Sequence, residues 1–245
     1  MNESKQRIEY RTYIVSPIHS LLCVILSTIA MFYICPDGKT VFDSDVCMNT
    51  PRYIHVWALL HSCGYFIVDF CFFFFLVGGR TTLDYQTYAH HIIATLTFYQ
   101  TLYFMDFMIV FGVMLLFMEI SSIFLSLRWL LFKHDMAQSK LYGINSILSF
   151  VSFLFGRLIF QLYIVFFVMI RWVAKELEKK NLTVFQGLVV IQLAIMVVLS
   201  IVLNLYWFRL MAAMIGRVIG RIFAGKETPE QAEEKIELKN ADSLK

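Results

Sequence analysis

Residues 107–132, FMIVFGVMLLFMEISSIFLSLRWLLF, decide the fold class, because they form a long apolar run with a single acidic residue, Glu119, near its middle. A helix of about 20 apolar residues crosses the roughly 30 Å hydrocarbon core of a bilayer, and this run is longer than that. A carboxylate is costly in hydrocarbon and is by default a candidate for function. The stretch therefore predicts a transmembrane helix and makes Glu119 the first candidate functional residue.

The rest of the chain has the same character. Of its 245 residues, 59% are hydrophobic and 16% are charged, whereas soluble domains carry about 25% charged residues. The apolar segments predict about six spans, at 14–35, 53–77, 88–105, 107–132, 142–173 and 184–214. We therefore predict an all-α, polytopic transmembrane helical bundle. Residues 14–215 would form its one domain, between a cytosolic N-terminal segment, 1–13, and a cytosolic polar tail, 216–245.

The Lys and Arg residues that flank the spans indicate the orientation of the chain. They are more frequent in segments 1–13, 78–81, 128–140 and 209–226 than at the opposite ends of the spans, and cytosolic loops are enriched in these residues. We expect both termini in the cytosol. The polar first residues resemble neither a signal peptide nor a presequence, so the first apolar helix should stay in the membrane. The net charge of +3 is dispersed, and we expect no nucleic acid partner.

Two cysteines, Cys35 and Cys47, flank the loop CPDGKTVFDSDVC, which this orientation places outside the cytosol. In an oxidising lumen they can form a disulfide. Their spacing alone does not fix their geometry, so the unpaired state stays open. The five cysteines do not have the spacing of a zinc site.

Several spans carry polar side chains in the middle or the cytosolic half of the membrane. The candidates for a pocket lining are His19, Asp69, His90, His91, Glu119, Ser122, Asn145 and Arg157. Their similar depth predicts a polar-lined cavity that opens to the cytosol and holds a lipid headgroup. We expect Glu119 and Arg157 to form an ion pair, because an unpaired charge at that depth is strongly penalised. Alternatively, Asp69 takes Arg157 or bonds a histidine, or all these contacts only tie helices together.

The adjacent His90 and His91 are the candidate catalytic residues, because a histidine can act as a general base near neutral pH. Neighbouring residues on a helix point about 100° apart, so the two rings do not easily bind one metal ion. We expect no metal and no cofactor. Ser121 and Ser122 lack the glycine elbow of serine hydrolases.

Six motifs, in this order, carry a resemblance to a known family: RTYIVSPIHSLL (11–22), GYFIVDF (64–70), AHHIIATLTFYQ (89–100), FMEISSIFLSLRWLL (117–131), INSILSFVSFLFGRL (144–158) and IQLAIMVVLSIVLNLYW (191–207). Their order resembles the TLC domain, which translocon-associated TRAM proteins, Lag-type ceramide synthases and a neuronal lipofuscinosis protein share. The resemblance covers about residues 10–215. The chain is most similar to the small TLC domain-containing proteins that are not ceramide synthases, particularly the fourth-numbered subgroup. Those proteins usually begin with one more apolar span, which we expect this chain to lack.

The resemblance implies an integral membrane protein of lipid homeostasis that binds, transfers or regulates membrane lipids. It also implies the endoplasmic reticulum or another internal organellar membrane, with membrane lipids and other membrane proteins as partners. Ceramide synthases carry a second His-Asp pair and a further Asp roughly where this chain has Met118, Glu119 and Ser122. We therefore do not predict a reaction. Ceramide-synthase-like acyl transfer is one alternative, and a structural or accessory membrane subunit without a ligand is the other.

Overall fold

The computed structural model describes residues 3–104, 106–178 and 183–224, and these residues form helices joined by short turns, without a strand among them. In chain order the α-helices are α1 (Glu3–Met31), α2 (Asp45–Asn49), α3 (Tyr53–Cys71), α4 (Thr82–Phe104), α5 (Asp106–Leu116), α6 (Ile120–Lys133), α7 (Lys140–Phe153), α8 (Gln161–Tyr163), α9 (Ile170–Glu178) and α10 (Val184–Ala224). The predicted all-α helical bundle is confirmed.

Four short segments depart from α-helical geometry inside the longer rods. π-Helical turns extend α3 over Phe72–Val77 and join α7 to α9 over Leu154–Phe160 and Ile164–Met169, on either side of α8. A 3₁₀ turn, Phe117–Glu119, joins α5 to α6. Such turns within long helices often mark functional or strained positions. Arg157 and Glu119, two predicted site residues, lie on them.

Five helical rods are long and apolar enough to cross a membrane, so the chain is a multi-pass membrane protein. They are Lys5–Met31, Tyr53–Val77, Met108–Lys133, Lys140–Lys175 and Val184–Gly216. The remaining predicted span, 88–105, falls on α4 as far as residue 104, and residue 105 lies outside the described residues; the 23 residues of α4 would reach about 34 Å. That helix is long enough but is not one of the five apolar rods, because polar side chains such as His90 and His91 interrupt it. The number six therefore stays a prediction.

Two helices extend beyond the predicted boundaries of the membrane domain, 14–215. Helix α1 begins at Glu3, inside the segment 1–13. Helix α10 has 41 residues, or about 60 Å, and continues to Ala224, past the predicted boundary at residue 215. A helix satisfies its own backbone hydrogen bonds in water as well as in lipid, so it need not end where the apolar side chains end. The predicted tail from residue 225 onward lies outside the described residues.

The α5–α6 rod lies at the centre of the bundle. In its most apolar window 56% of the residues are buried, compared with 22% in α10. Val110, Val113, Met114 and Leu116 are almost fully buried and pack into two hydrophobic clusters, one with α1, α3 and α4 and the other with α9 and α10. The central rod therefore fixes the position of Glu119 relative to every other span.

Each end of the bundle is tied by contacts far apart in sequence. At one end Cys35 and Cys47 form a disulfide, and Lys175 Nζ lies 3.0 Å from Asp45 Oδ1, which joins this loop to α9. At the other end the Tyr10 hydroxyl and His134 Nε2 are hydrogen-bonded at 2.8 Å, which joins α1 to the turn after α6. The two ends therefore hold different sets of loops, one of them closed by a disulfide.

Candidate functional site

Arg157 is the centre of a buried polar network between α6 and the first π-helical turn. Its Nη2 donates to Glu119 Oε1 at 3.1 Å and to Ser122 Oγ at 2.7 Å, and its Nε donates to Ser121 Oγ at 2.8 Å. The side chain is only 3% exposed, and its guanidinium also lies 5.9 Å from the centroid of the Trp207 ring. These contacts neutralise the charge and account for three of the five N–H donors of the guanidinium. We call this set the Arg157 centre.

A second layer of polar contacts continues from the Arg157 centre towards α10. Asn204 Nδ2 donates to Gln161 Oε1 at 2.9 Å, and Gln161 Nε2 donates to Ser200 Oγ at 3.2 Å. Asn204 and Gln161 are 2% and 1% exposed. Amides that bond across helices in this way fix the relative position of neighbouring spans.

The two adjacent histidines contact different carboxylates. His90 Nε2 lies 3.9 Å from Glu119 Oε1 at the edge of the Arg157 centre, whereas His91 Nδ1 lies 3.4 Å from Asp69 Oδ2 on α3. The ring planes are inclined at 54° to each other. His91 Nδ1 is buried and has no hydrogen bond to any described residue. The two histidines thus contact two different regions, the Arg157 centre and Asp69 on α3, and do not form a dyad with a common partner.

His19 makes its contacts with α3 and within its own helix. Its Nδ1 lies 3.2 Å from His61 Nε2, its Nε2 lies 3.3 Å from Cys23 Sγ, and its ring stacks on Tyr65. Cys23 Sγ is also 3.1 Å from Ser62 Oγ. These groups satisfy one another where α1 crosses α3.

A small cavity lies beside the Arg157 centre, between α4, the α5–α6 rod and α10. Its volume is about 40 Å³, and its polar wall consists of His90, Thr97, Glu119, Gln161 and Ser200. One water molecule needs about 10–15 Å³ of cavity volume, so this cavity has room for two or three waters. It is much smaller than the ~300–1,000 Å³ of pockets that enclose a drug-sized ligand.

A larger groove lies between α1 and α3 and has a volume of about 200 Å³. It is lined by Ile8, Arg11, Thr12, Val15, Tyr65, Val68, Asp69, Phe72 and Leu76. Val15 and Val68 are half exposed, at 50% and 51%, whereas Asp69 is 6% exposed. We call it the α1–α3 groove. It combines an outward-facing apolar wall with a buried carboxylate and an exposed guanidinium.

The predicted lining residues are distributed over these regions. Glu119, Arg157, Ser122 and His90 meet at the Arg157 centre, and Asp69 with His91 lies at the α1–α3 groove. His19 lies at the crossing of α1 and α3. Asn145 is buried on α7 and donates through Nδ2 to the Phe124 carbonyl at 2.9 Å.

Sequence reasoning did not include Arg11, Gln161 and Ser200 among the candidates. Gln161 follows Arg157 by four residues, and Ser200 precedes Asn204 by four, so helical spacing could have found both. Arg11 was interpreted only as a flanking charge. In the described part of the chain, no three or more His, Cys, Asp or Glu side chains are arranged to hold a metal ion.

The fold and these regions define a polytopic helical membrane protein whose polar side chains lie between its spans. Residues 11–213 match the model of the TLC domain, so the chain belongs to the TLC-domain family, as its motifs predicted. It is 26% identical over 204 residues to human TLC domain-containing protein 1, a match that covers 83% of this chain and 72% of the human protein. The mouse protein of the same name is 27% identical over the same shares. Proteins of this family are linked to lipid metabolism.

Both relatives are small TLC-domain proteins that are not ceramide synthases, as predicted, although their numbered subgroup differs from the fourth one that the motifs favoured. No solved structure matches this chain.

Proposed function

We propose that the protein binds a membrane lipid in the α1–α3 groove and contributes to lipid homeostasis by binding, transferring or regulating that lipid. The groove itself carries this proposal. Its wall residues Val15, Val68, Phe72 and Leu76 are 43–51% exposed although they are apolar, which suits contact with acyl chains. At about 200 Å³ it would take part of a lipid, with the remainder in the bilayer.

The disulfide supports an orientation for this groove. Disulfides persist in oxidising compartments, so the end of the bundle with Cys35 and Cys47 would face a lumen or the outside. The groove lies towards the opposite end, near the start of α1, and would therefore open at the cytosolic leaflet. An internal membrane such as the endoplasmic reticulum, with the N-terminus in the cytosol, fits this arrangement.

Lipid mass spectrometry of the full chain, extracted with its surrounding bilayer in polymer nanodiscs, tests the proposal. We expect a retained lipid that is enriched over the bulk membrane. Val68→Trp would fill the groove and reduce the enrichment. Ile67→Trp is the matched control, because Ile67 is also 51% exposed but does not line the groove. Bulk-like lipid around the wild type, or equal enrichment in both variants, would contradict the proposal.

A structural or accessory role is the second candidate, and the Arg157 centre favours it. Glu119 and Arg157 are paired, and the adjacent cavity of about 40 Å³ is too small for a headgroup. If the centre only holds helices together, conservative changes there should alter stability and leave lipid enrichment at the groove unchanged.

Acyl transfer of the ceramide-synthase type is tested directly. Purified protein with an acyl-CoA and a long-chain base should yield no N-acyl product under our proposal. Product formation that His91→Ala abolishes would instead establish the enzyme.

A further inference from the structure

Arg11 differs from the other charged groups at the membrane regions described above, because it lines a groove and has no partner in the part of the chain that the structure describes. Its side chain is exposed and makes no hydrogen bond or ion pair with any described residue. Arg157, in contrast, is bonded to Glu119, Ser121 and Ser122. A guanidinium that lies beside apolar wall residues without an internal partner is available to an external anion.

The sequence of α1 places a second cation at the same groove. Ile8, Arg11 and Val15 line it at helical spacing, and Lys5 precedes Ile8 by three residues on the same face. Lys5 Nζ lies 3.6 Å from the position that a Cβ on Gly78 would occupy. Because Gly78 immediately follows the π-helical turn that contributes Phe72 and Leu76, this ammonium lies at the end of the groove nearest the start of α1.

The acidic groups around the groove interact with other side chains of the protein. Asp69 is 6% exposed, and its Oδ2 lies 3.4 Å from His91 Nδ1. Asp84 accepts from the Thr81 backbone N–H at 2.8 Å and from its hydroxyl at 2.7 Å. Glu9 interacts electrostatically with both Lys133 and Asp84. The mouth of the groove therefore carries the cations Arg11 and Lys5, with the Asp84 carboxylate beside the neighbouring Gly79, and its depth holds the buried carboxylate of Asp69.

From this arrangement we infer that the groove selects an anionic phospholipid, whose phosphate binds Arg11 while an acyl chain lies along Val15, Val68 and Phe72. The inference rests on the proposed lipid binding. Guanidinium pairs with phosphate through two parallel hydrogen bonds, and basic side chains at the cytosolic surface favour anionic lipids. Lys5 also attracts the net negative charge of such a headgroup. A zwitterionic lipid offers no net charge, because its headgroup carries its own cation.

The test uses the purified full chain, equilibrated with equimolar phosphatidylglycerol and phosphatidylcholine of identical acyl chains, and native mass spectrometry of the retained lipid. We expect a retained phosphatidylglycerol-to-phosphatidylcholine ratio about five times the input ratio, the size of one basic contact at a membrane surface. Arg11→Gln should bring the ratio close to one, and Arg11→Lys should preserve part of the preference.

Lys140→Gln is the matched control, because Lys140 is an exposed cation at the same end of the bundle but not at the groove. It should leave the fivefold enrichment intact. Equal loss in both variants would indicate a general surface charge and overturn the inference. Displacement of the lipid by millimolar inorganic phosphate, or preferential exchange for palmitoyl-CoA, would also overturn it.

The two proposals fail differently in this experiment. Retained lipid with no headgroup preference overturns the anionic selectivity and leaves lipid binding in place. Absence of retained lipid from wild type and from every variant overturns both.

Discussion

Two arginines, each on a helical rod long enough to cross a membrane, have opposite environments. Arg157 is 3% exposed and bonded to Glu119 and two serines within a packed centre. Arg11 is exposed beside a groove of about 200 Å³ and has no partner among the described residues. A charge that the chain neutralises internally holds helices together, whereas a charge left open at a lipid-facing groove is available to a ligand. In our proposal the first region therefore stabilises the fold and the second binds the lipid.

The largest expected effect is the loss of stability in Arg157→Met. Removal of one partner of a buried ion pair leaves Glu119 uncompensated, and such changes cost about 3–5 kcal/mol. Thermal unfolding in detergent, followed by tryptophan fluorescence, measures the change. The double variant Glu119→Gln with Arg157→Met removes both charges and should be more stable than Arg157→Met alone. A double variant that is less stable than the single one would show that the pair is not the main interaction of Arg157.

This centre was largely predictable from the sequence, because charge in hydrocarbon needs a partner. Glu119 and Arg157 were expected to pair, and Ser122 was placed at the same pocket. The irregular turns at Phe117–Glu119 and Leu154–Phe160 were not predictable. Apart from Gly156, their residue types are common in ordinary α-helices, so the sequence does not show that the helix is wound differently there.

Gly156→Ala should give the next largest loss of stability. A Cβ at Gly156 would lie 2.9 Å from Ile120 Cγ2, and this branched side chain has little freedom to move away. Overpacking of this kind costs about 1–3 kcal/mol. Gly64→Ala is the control, since a Cβ there has no neighbour within 4 Å. The same thermal unfolding assay should separate the two variants. Equal melting temperatures would mean that α6 and the π-helical turn are not in close contact.

Asn204→Leu should have a smaller effect, about 0.5–2 kcal/mol. The substitution removes the donor to Gln161 Oε1 and leaves this buried oxygen unsatisfied, while measured interhelical hydrogen bonds in membranes average about 0.6 kcal/mol. Gln192→Leu on the same helix removes an exposed amide and should be neutral or stabilising. If Gln192→Leu were as destabilising as Asn204→Leu, the second polar layer would have no special role.

The α1–α3 groove was harder to predict than the Arg157 centre. Asp69 was expected at a pocket, but Arg11 was interpreted as a topology signal, because a flanking cation has the same sequence pattern whether or not a groove lies beside it. Which face of α1 packs against α3 depends on contacts far apart in sequence, such as His19 with His61. Sequence spacing thus identifies a buried charged residue reliably. It identifies a charged residue that is exposed at a groove only once the packed faces of the helices are known.

The smallest expected effect on intrinsic stability is that of Arg11→Met, the same substitution as in Arg157→Met. In detergent without added phospholipid it should change the free energy of unfolding by less than about 0.5 kcal/mol, because an exposed unpaired side chain contributes little. Added phosphatidylglycerol should raise the melting temperature of the wild type, since a ligand that binds the folded state stabilises it by mass action. Arg11→Met should gain less from the same lipid, and both proteins should respond alike to phosphatidylcholine. A large destabilisation of Arg11→Met in lipid-free detergent would mean that Arg11 has a structural role, and the contrast between the two arginines would be wrong.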